Sequence, residues 1–186
     1  MNHVIGIDPS LSGTGVIVLT EAGSIASKTI VSTPPCGPSA QARMDRYEKM
    51  VWEIKKIGDA FKPTMICIEG YAFGSNMPGA NERVEYGGLL RYVLTRSFRL
   101  IEVNPLSLKK WATGRGAGDK TALIAAMTAK YGVQFGSSDE YDAYALARVA
   151  LQIVGYDQPT NETQRECVDI AINGKAKKPK KARAAK

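Results

Sequence analysis

Histidine and cysteine are scarce in this chain of 186 residues, and long apolar runs are missing from it. The single histidine, His3, lies five residues before Asp8, about 17 Å away along an extended strand, so we assign it no catalytic role. The three cysteines, Cys36, Cys67 and Cys167, share no close spacing, which favours free thiols over disulfides or a zinc site. No apolar stretch approaches the roughly 20 residues that span a bilayer, and no signal core follows the N-terminus. We therefore expect a soluble cytoplasmic protein without a membrane partner.

Composition is ordinary for a globular domain, with 44% apolar and 23% charged residues. The length predicts one domain over residues 1–173, followed by a basic, disordered tail over residues 174–186. Seven of the 25 Lys and Arg residues lie in that tail, which leaves 18 basic and 18 acidic residues in the body. Within the body, residues 83–120 carry eight basic and three acidic residues. This segment suits a face that binds a polyanion, although a solvated basic face without a partner is the alternative.

Periodicity predicts an α/β protein with a mixed five-stranded sheet flanked by helices. A run of apolar residues without alternation at positions 65–68 is typical of a central strand that is buried on both faces. Residues 106–118 are interpreted as a short basic turn and a flexible loop, and a final helix at 161–172 has undecided packing. The other predicted strands are 3–9, 13–20, 24–31 and 99–103, and the other predicted helices are 40–61, 81–98, 120–131 and 138–154.

Four acidic residues stand at the ends of predicted elements. Asp8 ends the first strand and Glu69 ends the central strand, so the two share one sheet edge if these strands are parallel neighbours. Asp139 and Asp142 are three residues apart and lie on one face of a helix. Four clustered carboxylates repel each other unless they are neutralised, and Mg²⁺ prefers oxygen ligands. The cluster therefore predicts a divalent metal site.

Simpler interpretations of these acids stay open. Asp8 could cap its own backbone in a turn. Asp139 and Asp142 could complement a helix dipole, with Ser137 or Ser138 as the N-cap. Gly13 and Gly15 are interpreted as giving the turn after Asp8 its backbone freedom and leaving room for a large ligand.

Four segments carry a family resemblance: IGIDPSLSGTGVIV at 5–18, ICIEGYAF at 66–73, LKKWATGRGAGDK at 108–120 and SDEYDAYALA at 138–147. In order and interval they resemble the four motif regions of the RuvC family of Holliday junction resolvases, within the ribonuclease H-like nuclease superfamily. The resemblance spans residues 4–155. It implies that the catalytic, metal-binding carboxylates are Asp8, Glu69, Asp139 and Asp142. It also implies that Lys109 and Lys120 contact DNA, with Lys120 at the catalytic centre.

The chain departs from the family pattern at two positions. Ser10 stands where the family has Gly, and Ala72 stands where an aromatic residue is expected. Tyr71 and Phe73 flank Ala72, so either ring could stack on unpaired bases at a branch point. The alternative is that both rings pack against the sheet.

The resemblance implies an endonuclease of DNA recombination and repair that resolves four-way junctions. Two Mg²⁺ ions per active site, with Mn²⁺ as a substitute, would support phosphodiester hydrolysis that leaves a 5′ phosphate and a 3′ hydroxyl. Phosphate contacts are expected from Lys109, Lys110, Arg115 and Lys120. Paired cuts imply a homodimer. The helix at 81–98 would supply either an interface or ordinary core through Tyr86, Leu89, Leu90, Val93 and Leu94.

Two other functions remain open on sequence grounds. One is a broader nuclease of the same fold that cuts flaps, forks or other branched DNA. The other is a DNA-binding module that performs no chemistry. The stretch from Asp8 to Gly15 also resembles the phosphate loops of actin-like ATPases, but 186 residues are too few for the two lobes of that fold.

Overall fold

A computed structural model describes residues 1–34, 36–71, 79–115 and 120–174. Its strands are β1 (His3–Asp8), β2 (Thr14–Thr20), β3 (Ile25–Val31), β4 (Met65–Glu69) and β5 (Leu100–Val103). Its helices are α1 (Ala40–Phe61), α2 (Ala80–Thr95), α3 (Pro105–Thr113), α4 (Lys120–Tyr131), α5 (Ser138–Ile153) and α6 (Glu162–Asn173). The expected fold class, a mixed five-stranded sheet flanked by helices, is confirmed.

The sheet places β1 at its centre, in the order β3-β2-β1-β4-β5. β1 pairs antiparallel with β2 and parallel with β4, and β4 pairs parallel with β5. The sequence predicted that Asp8 and Glu69 share a sheet edge if the first and fourth strands are parallel neighbours, and β1 and β4 are parallel neighbours. Asp8 and Glu69 consequently emerge at the same edge of the sheet.

Apolar side chains alternate between the two faces of the sheet and build two separate core clusters. Val4 and Ile17 point toward α3, α4, α5 and α6, whereas Ile5 and Val16 point toward α1 and α2. On the face of the sheet that carries Val4 and Ile17, α5 packs directly across β1, β2 and β4. The central strands and α5 thus form the most deeply buried part of the described chain.

Two glycines allow α5 to approach the sheet closely. A Cβ on Gly6 would overlap the backbone carbonyl of Ala143, and a Cβ on Gly15 would overlap that of Asp139. Neither Gly13 nor Gly15 has a positive φ, so the prediction that they supply backbone freedom to the turn is wrong. The space at Gly15 is taken by the helix and not by a ligand.

The region after β5 corrects a further prediction, since Pro105–Thr113 forms a helix where the sequence indicated a short turn. Asn104 caps this helix by accepting hydrogen bonds from the backbone N–H groups of Leu106 and Ser107. Pro105 occupies the first helical position, where the missing N–H costs nothing. The basic residues that follow therefore have helical spacing.

Helix α2 ends three residues earlier than predicted, at Thr95, and three of the apolar residues named from the sequence lie in the core. Tyr86, Leu90 and Leu94 are at most 1% exposed. Leu89 and Val93 pack against the same cluster at partial burial. Tyr86, Leu90 and Leu94 are therefore core positions, whereas Leu89 and Val93 keep part of their surface exposed, and a role of α2 as an interface stays a prediction.

No helix among the described residues has the length and apolar character needed to cross a bilayer. Phe73, most of the GRGAG loop (residues 116–118) and the basic tail from residue 175 onward lie outside the described residues. The expectations for these three segments stay predictions.

Candidate active site

Asp8 and Glu69 lie side by side where β1 and β4 end. Ile7 pairs with Ile68 in the parallel register, so the next residue of each strand sits at the same level of the sheet edge. Asp8 is only 6% exposed, and Glu69 is half-buried. The central strands thus hold two carboxylates rigidly at one point.

Helix α5 brings the other two acids to this point. Ser137 caps the helix and Glu140 completes a capping box with it. Asp142 is 9% exposed, and the Asp139 side chain is 24% exposed. Ser137 is thus one of the two N-caps suggested from the sequence, and Asp139 lies in the first turn, where an acid complements the helix dipole. Asp142 lies beyond the first turn, so the dipole does not explain it. The role of Glu140 was missed, although Ser and Glu three residues apart are the usual signal for a capping box.

Mutual repulsion marks the four acids as one cluster. Burial raises the pKa of Asp8 well above its ordinary value, and the nearby charges of Glu69, Asp142 and Asp139 raise it further. Burial together with the charge of Asp142 raises the pKa of Glu69 to about 7. Burial also raises the pKa of Asp142. A protonated Asp8 is close enough to donate a hydrogen bond to Glu69.

The donor set fits hard divalent cations, which take carboxylate oxygens as ligands. In the described ranges no three His, Cys, Asp or Glu side chains are already arranged tightly enough to enclose one ion. The charges of neighbouring carboxylates contribute to the raised pKa values of Asp8 and Glu69, so the acids are near enough to repel each other. A bound cation would offset that repulsion. The four residues are therefore candidate metal ligands.

The predicted basic residues divide into two groups. Lys120 Nζ lies 3.6 Å from Asp139 Oδ1 and donates a hydrogen bond to Ser138 Oγ over 3.2 Å. The positive charges of Lys120 and Lys109 both lower the pKa of Glu69 and Asp142 against the larger effect of burial. These two lysines therefore border the acidic cluster, and their contact with DNA stays a prediction.

Lys110 and Arg115 are not brought to the cluster. Lys110 Nζ contacts Glu166 Oε2 on α6 at 2.7 Å, which engages its charge in an ion pair. Consecutive residues on a helix point about 100° apart, so Lys109 and Lys110 face different surroundings. Arg115 is exposed at the end of α3, beside the undescribed residues 116–119.

Tyr71 packs against α2. Its ring lies 4.2 Å from the Arg91 guanidinium, and its hydroxyl donates a 3.4 Å hydrogen bond to the Val84 carbonyl. Gly87 faces the same ring, and a Cβ there would come within 3.0 Å of it. Of the two candidate stacking rings, Tyr71 is thus committed to intramolecular contacts.

The sequence of this chain is similar to known proteins over most of its length. The family model of crossover junction endodeoxyribonuclease RuvC matches residues 4–151. The chain is 26% identical to the Synechococcus sp. RuvC endonuclease over 156 residues, which cover 80% of this chain and 96% of that protein. It is 28% identical to the Borrelia turicatae RuvC endonuclease over 155 residues, which cover 78% of this chain and 92% of the relative.

A solved structure shares the fold. Thermus thermophilus RuvC in complex with a Holliday junction substrate matches with a TM-score of 0.64 at 17% identity, over 84% of this chain and 94% of that one. This likeness confirms the ribonuclease H-like fold. The match of the family model confirms the resemblance seen in the four sequence motifs, since it spans all of them. The chain belongs to the crossover junction endodeoxyribonuclease RuvC family.

Proposed function

We propose that this protein resolves four-way DNA junctions by metal-dependent phosphodiester hydrolysis. The observation that carries the proposal is the convergence of Asp8, Glu69, Asp139 and Asp142 from three elements onto one sheet edge, bordered by Lys109 and Lys120. A family member from Thermus thermophilus has been solved with a Holliday junction substrate, which supports the choice of DNA.

Asp8, Glu69, Asp139 and Asp142 would hold two Mg²⁺ ions, which Mn²⁺ could replace. When bound, such ions polarise the scissile phosphate and lower the pKa of an attacking water. Asp8 would be a ligand in this set, because it ends the central strand near Glu69, Asp139 and Asp142. Hydrolysis of this kind leaves a 5′ phosphate and a 3′ hydroxyl.

Lys120 and Lys109 would hold the DNA backbone beside the acids. Lys120 is well placed for this, since its side chain is 62% exposed while its ammonium faces Asp139. Contacts of this kind position a phosphate without reading bases. We extend the proposal to the tail at 174–186, whose Lys and Arg residues would add phosphate affinity that does not depend on sequence.

Symmetric resolution requires two active sites related by a two-fold axis, so we propose that two copies of the chain act together on one junction. The separation between the two sites would then match the spacing of the two cut strands.

The proposal is tested with mobile and immobile four-way junctions, a fork, a flap and a linear duplex, each incubated with Mg²⁺ or EDTA. We expect paired cuts in the junctions, 5′ phosphate ends, and no cleavage in EDTA. Equal cleavage of flaps and forks would instead identify a broader branched-DNA nuclease. Tight binding without cleavage under any metal condition would identify a DNA-binding module and contradict the proposal.

Phe73→Ala is expected to reduce junction cleavage by about tenfold or more, because stacking of a base on an aromatic ring is worth about 1–3 kcal/mol. The Tyr71 ring packs against Arg91, so we propose that Phe73, the other aromatic residue beside Ala72, is the one that stacks on DNA. Cleavage rates on the same junction measure the effect. Tyr71→Phe serves as the control, because it keeps the packed ring and loses only one weak hydrogen bond. Cleavage by Phe73→Ala at the rate of Tyr71→Phe and of the wild-type protein would contradict the stacking role of Phe73.

A further inference from the structure

Arg91 on α2 reaches the strand that carries Glu69. Its Nη2 donates a 2.6 Å hydrogen bond to the backbone carbonyl of Glu69, and its Nη1 donates a 3.0 Å hydrogen bond to the carbonyl of Gly87. Its Nε lies 3.2 Å from Glu102 Oε1 on β5, which is an ion-pair distance, although Nε makes no hydrogen bond. The Arg91 side chain is 12% exposed. One largely buried guanidinium therefore connects α2, β4 and β5.

The same guanidinium lies over the Tyr71 ring, with Arg91 Cζ 4.2 Å from the ring centroid. Tyr71 follows Glu69 by two residues, so Arg91 holds the chain on both sides of Gly70. Stacking on an aromatic face and donation to a carbonyl use different parts of a planar guanidinium, and a lysine cannot reproduce both. The chain leaving β4 is thus fixed at the point where Glu69 must present its carboxylate.

Gly87 makes this arrangement possible. A Cβ at this position would lie 2.9 Å from Arg91 Nη1 and 3.0 Å from the Tyr71 ring. Glycine in the middle of a helix is unfavourable relative to alanine. Its presence in the buried part of α2 is therefore explained by the room that Arg91 and Tyr71 need.

We propose that Arg91 is a positioning residue that sets the metal affinity of the acidic cluster by fixing the backbone of Glu69. The proposal rests on the proposed function, in which Glu69 is a metal ligand. Groups that orient a metal ligand typically change metal affinity by about 10- to 100-fold when they are altered. A side chain that served only the fold would change stability and leave the metal affinity of the folded protein as it was.

The test compares Mn²⁺ binding by titration calorimetry in the wild-type full-length chain, Arg91→Gln, Arg91→Lys and Gly87→Ala. We expect Mn²⁺ affinity to fall about tenfold or more in each variant, and the Mg²⁺ concentration for half-maximal junction cleavage to rise by a similar factor. Excess metal should restore part of the cleavage rate, since the carboxylate itself is intact.

Gly88→Ala is the matched control. It makes the same change one residue along the helix, at an exposed position where the nearest neighbour, the Tyr71 hydroxyl, would be 3.8 Å from the new Cβ. Both alanines favour the helix, so only Gly87→Ala should weaken Mn²⁺ binding. Gel filtration of both variants verifies that the oligomeric state is the same.

Unchanged Mn²⁺ affinity in folded Gly87→Ala and Arg91→Gln overturns the role of Arg91 and leaves the proposed function standing. If Arg91→Gln fails to fold, the affinities of Arg91→Lys and Gly87→Ala decide the question. Undiminished cleavage by Asp8→Asn overturns the proposed function itself. The two failures are therefore distinguishable.

Discussion

Asp8→Asn is expected to lower junction cleavage about a thousandfold or more while leaving junction binding unchanged. Asp8 lies between Glu69 and the acids of α5, and two-metal stabilisation of a phosphoryl transition state is worth several kcal/mol. The amide has the same shape and adds no clash at a position that is 6% exposed. Single-turnover cleavage and gel-shift affinity on the same junction, at saturating Mg²⁺, separate the two effects.

Asp45→Asn is the control for this experiment. Asp45 is exposed on α1, which packs on the face of the sheet opposite α5, and it accepts a hydrogen bond from Gln41. The Asp45→Asn variant should cleave junctions at the wild-type rate. Residual cleavage above about a tenth of the wild-type rate in Asp8→Asn would contradict the assignment of Asp8 as a metal ligand.

Asp8→Asn should also be more stable than the wild-type protein in EDTA. The folded-state pKa of Asp8 is raised by burial and by Glu69, Asp142 and Asp139, so ionisation of Asp8 destabilises the folded state. The contribution of a carboxyl with a raised pKa is present at low pH and is lost as the pH rises through the folded-state pKa. The stability advantage of Asp8→Asn should therefore grow between pH 4 and pH 8. Melting temperatures in EDTA across this range measure it, and a gain of about 1 kcal/mol corresponds to about 2–4 °C.

The strand positions of Asp8 and Glu69 could be predicted because they depend on short-range patterns. Apolar runs locate the strands, and the rule that parallel strands end at the same edge places the two acids together. The spacing of Asp139 and Asp142 likewise gives one helix face. Local sequence therefore determines where the strands end and which helix face carries the acids, whereas the pairing of β1 with β4 is a tertiary feature that the structure supplies.

The directions of Lys109 and Lys110 could not be predicted in the same way. The sequence predicted a turn and loop at 106–118, and a turn has no helical spacing. It is the helical spacing that directs Lys109 toward the acids and Lys110 toward Glu166. Asn104 followed by Pro105 was the available signal for a helix start. The partner on α6 lies 56 residues further along the chain, so the ion pair depends on tertiary packing that no local pattern contains.

The contacts of Arg91 and Gly15 are also tertiary. Arg91 lies on a helix and binds a carbonyl 22 residues earlier in the chain, so its sequence neighbours give no indication of its role. Gly15 stands in a polar hairpin and is easily attributed to turn geometry, whereas its physical reason is a helix that begins more than 100 residues later. Both cases are close approaches between elements, which single-sequence patterns do not encode.

Gly15→Ala is expected to damage both stability and cleavage. The new Cβ would overlap the Asp139 carbonyl and lie 3.3 Å from Ala143 Cβ. The first of these is helix backbone, so α5 or β2 must shift as a unit. Overpacking of this kind costs about 1–3 kcal/mol, which would lower the melting temperature by about 2–12 °C. Because Gly15 pairs with Asp8 in the sheet register, the displacement separates Asp8 from the acids of α5.

A misplacement of about 1 Å at a reacting centre can cost about 100-fold in rate, so we expect a loss of that order in junction cleavage by folded Gly15→Ala. Gly13→Ala is the matched control in the same hairpin. Its Cβ would meet only Ile30 Cγ2 at 2.9 Å, which is a side-chain atom of a residue that is 40% exposed, whereas the Cβ at position 15 would meet helix backbone. Gly13→Ala should therefore retain wild-type cleavage. If folded Gly15→Ala cuts at the wild-type rate, the distance between α5 and β2 does not control the chemistry, and the carboxylates of α5 are not needed in the position that the structure gives them.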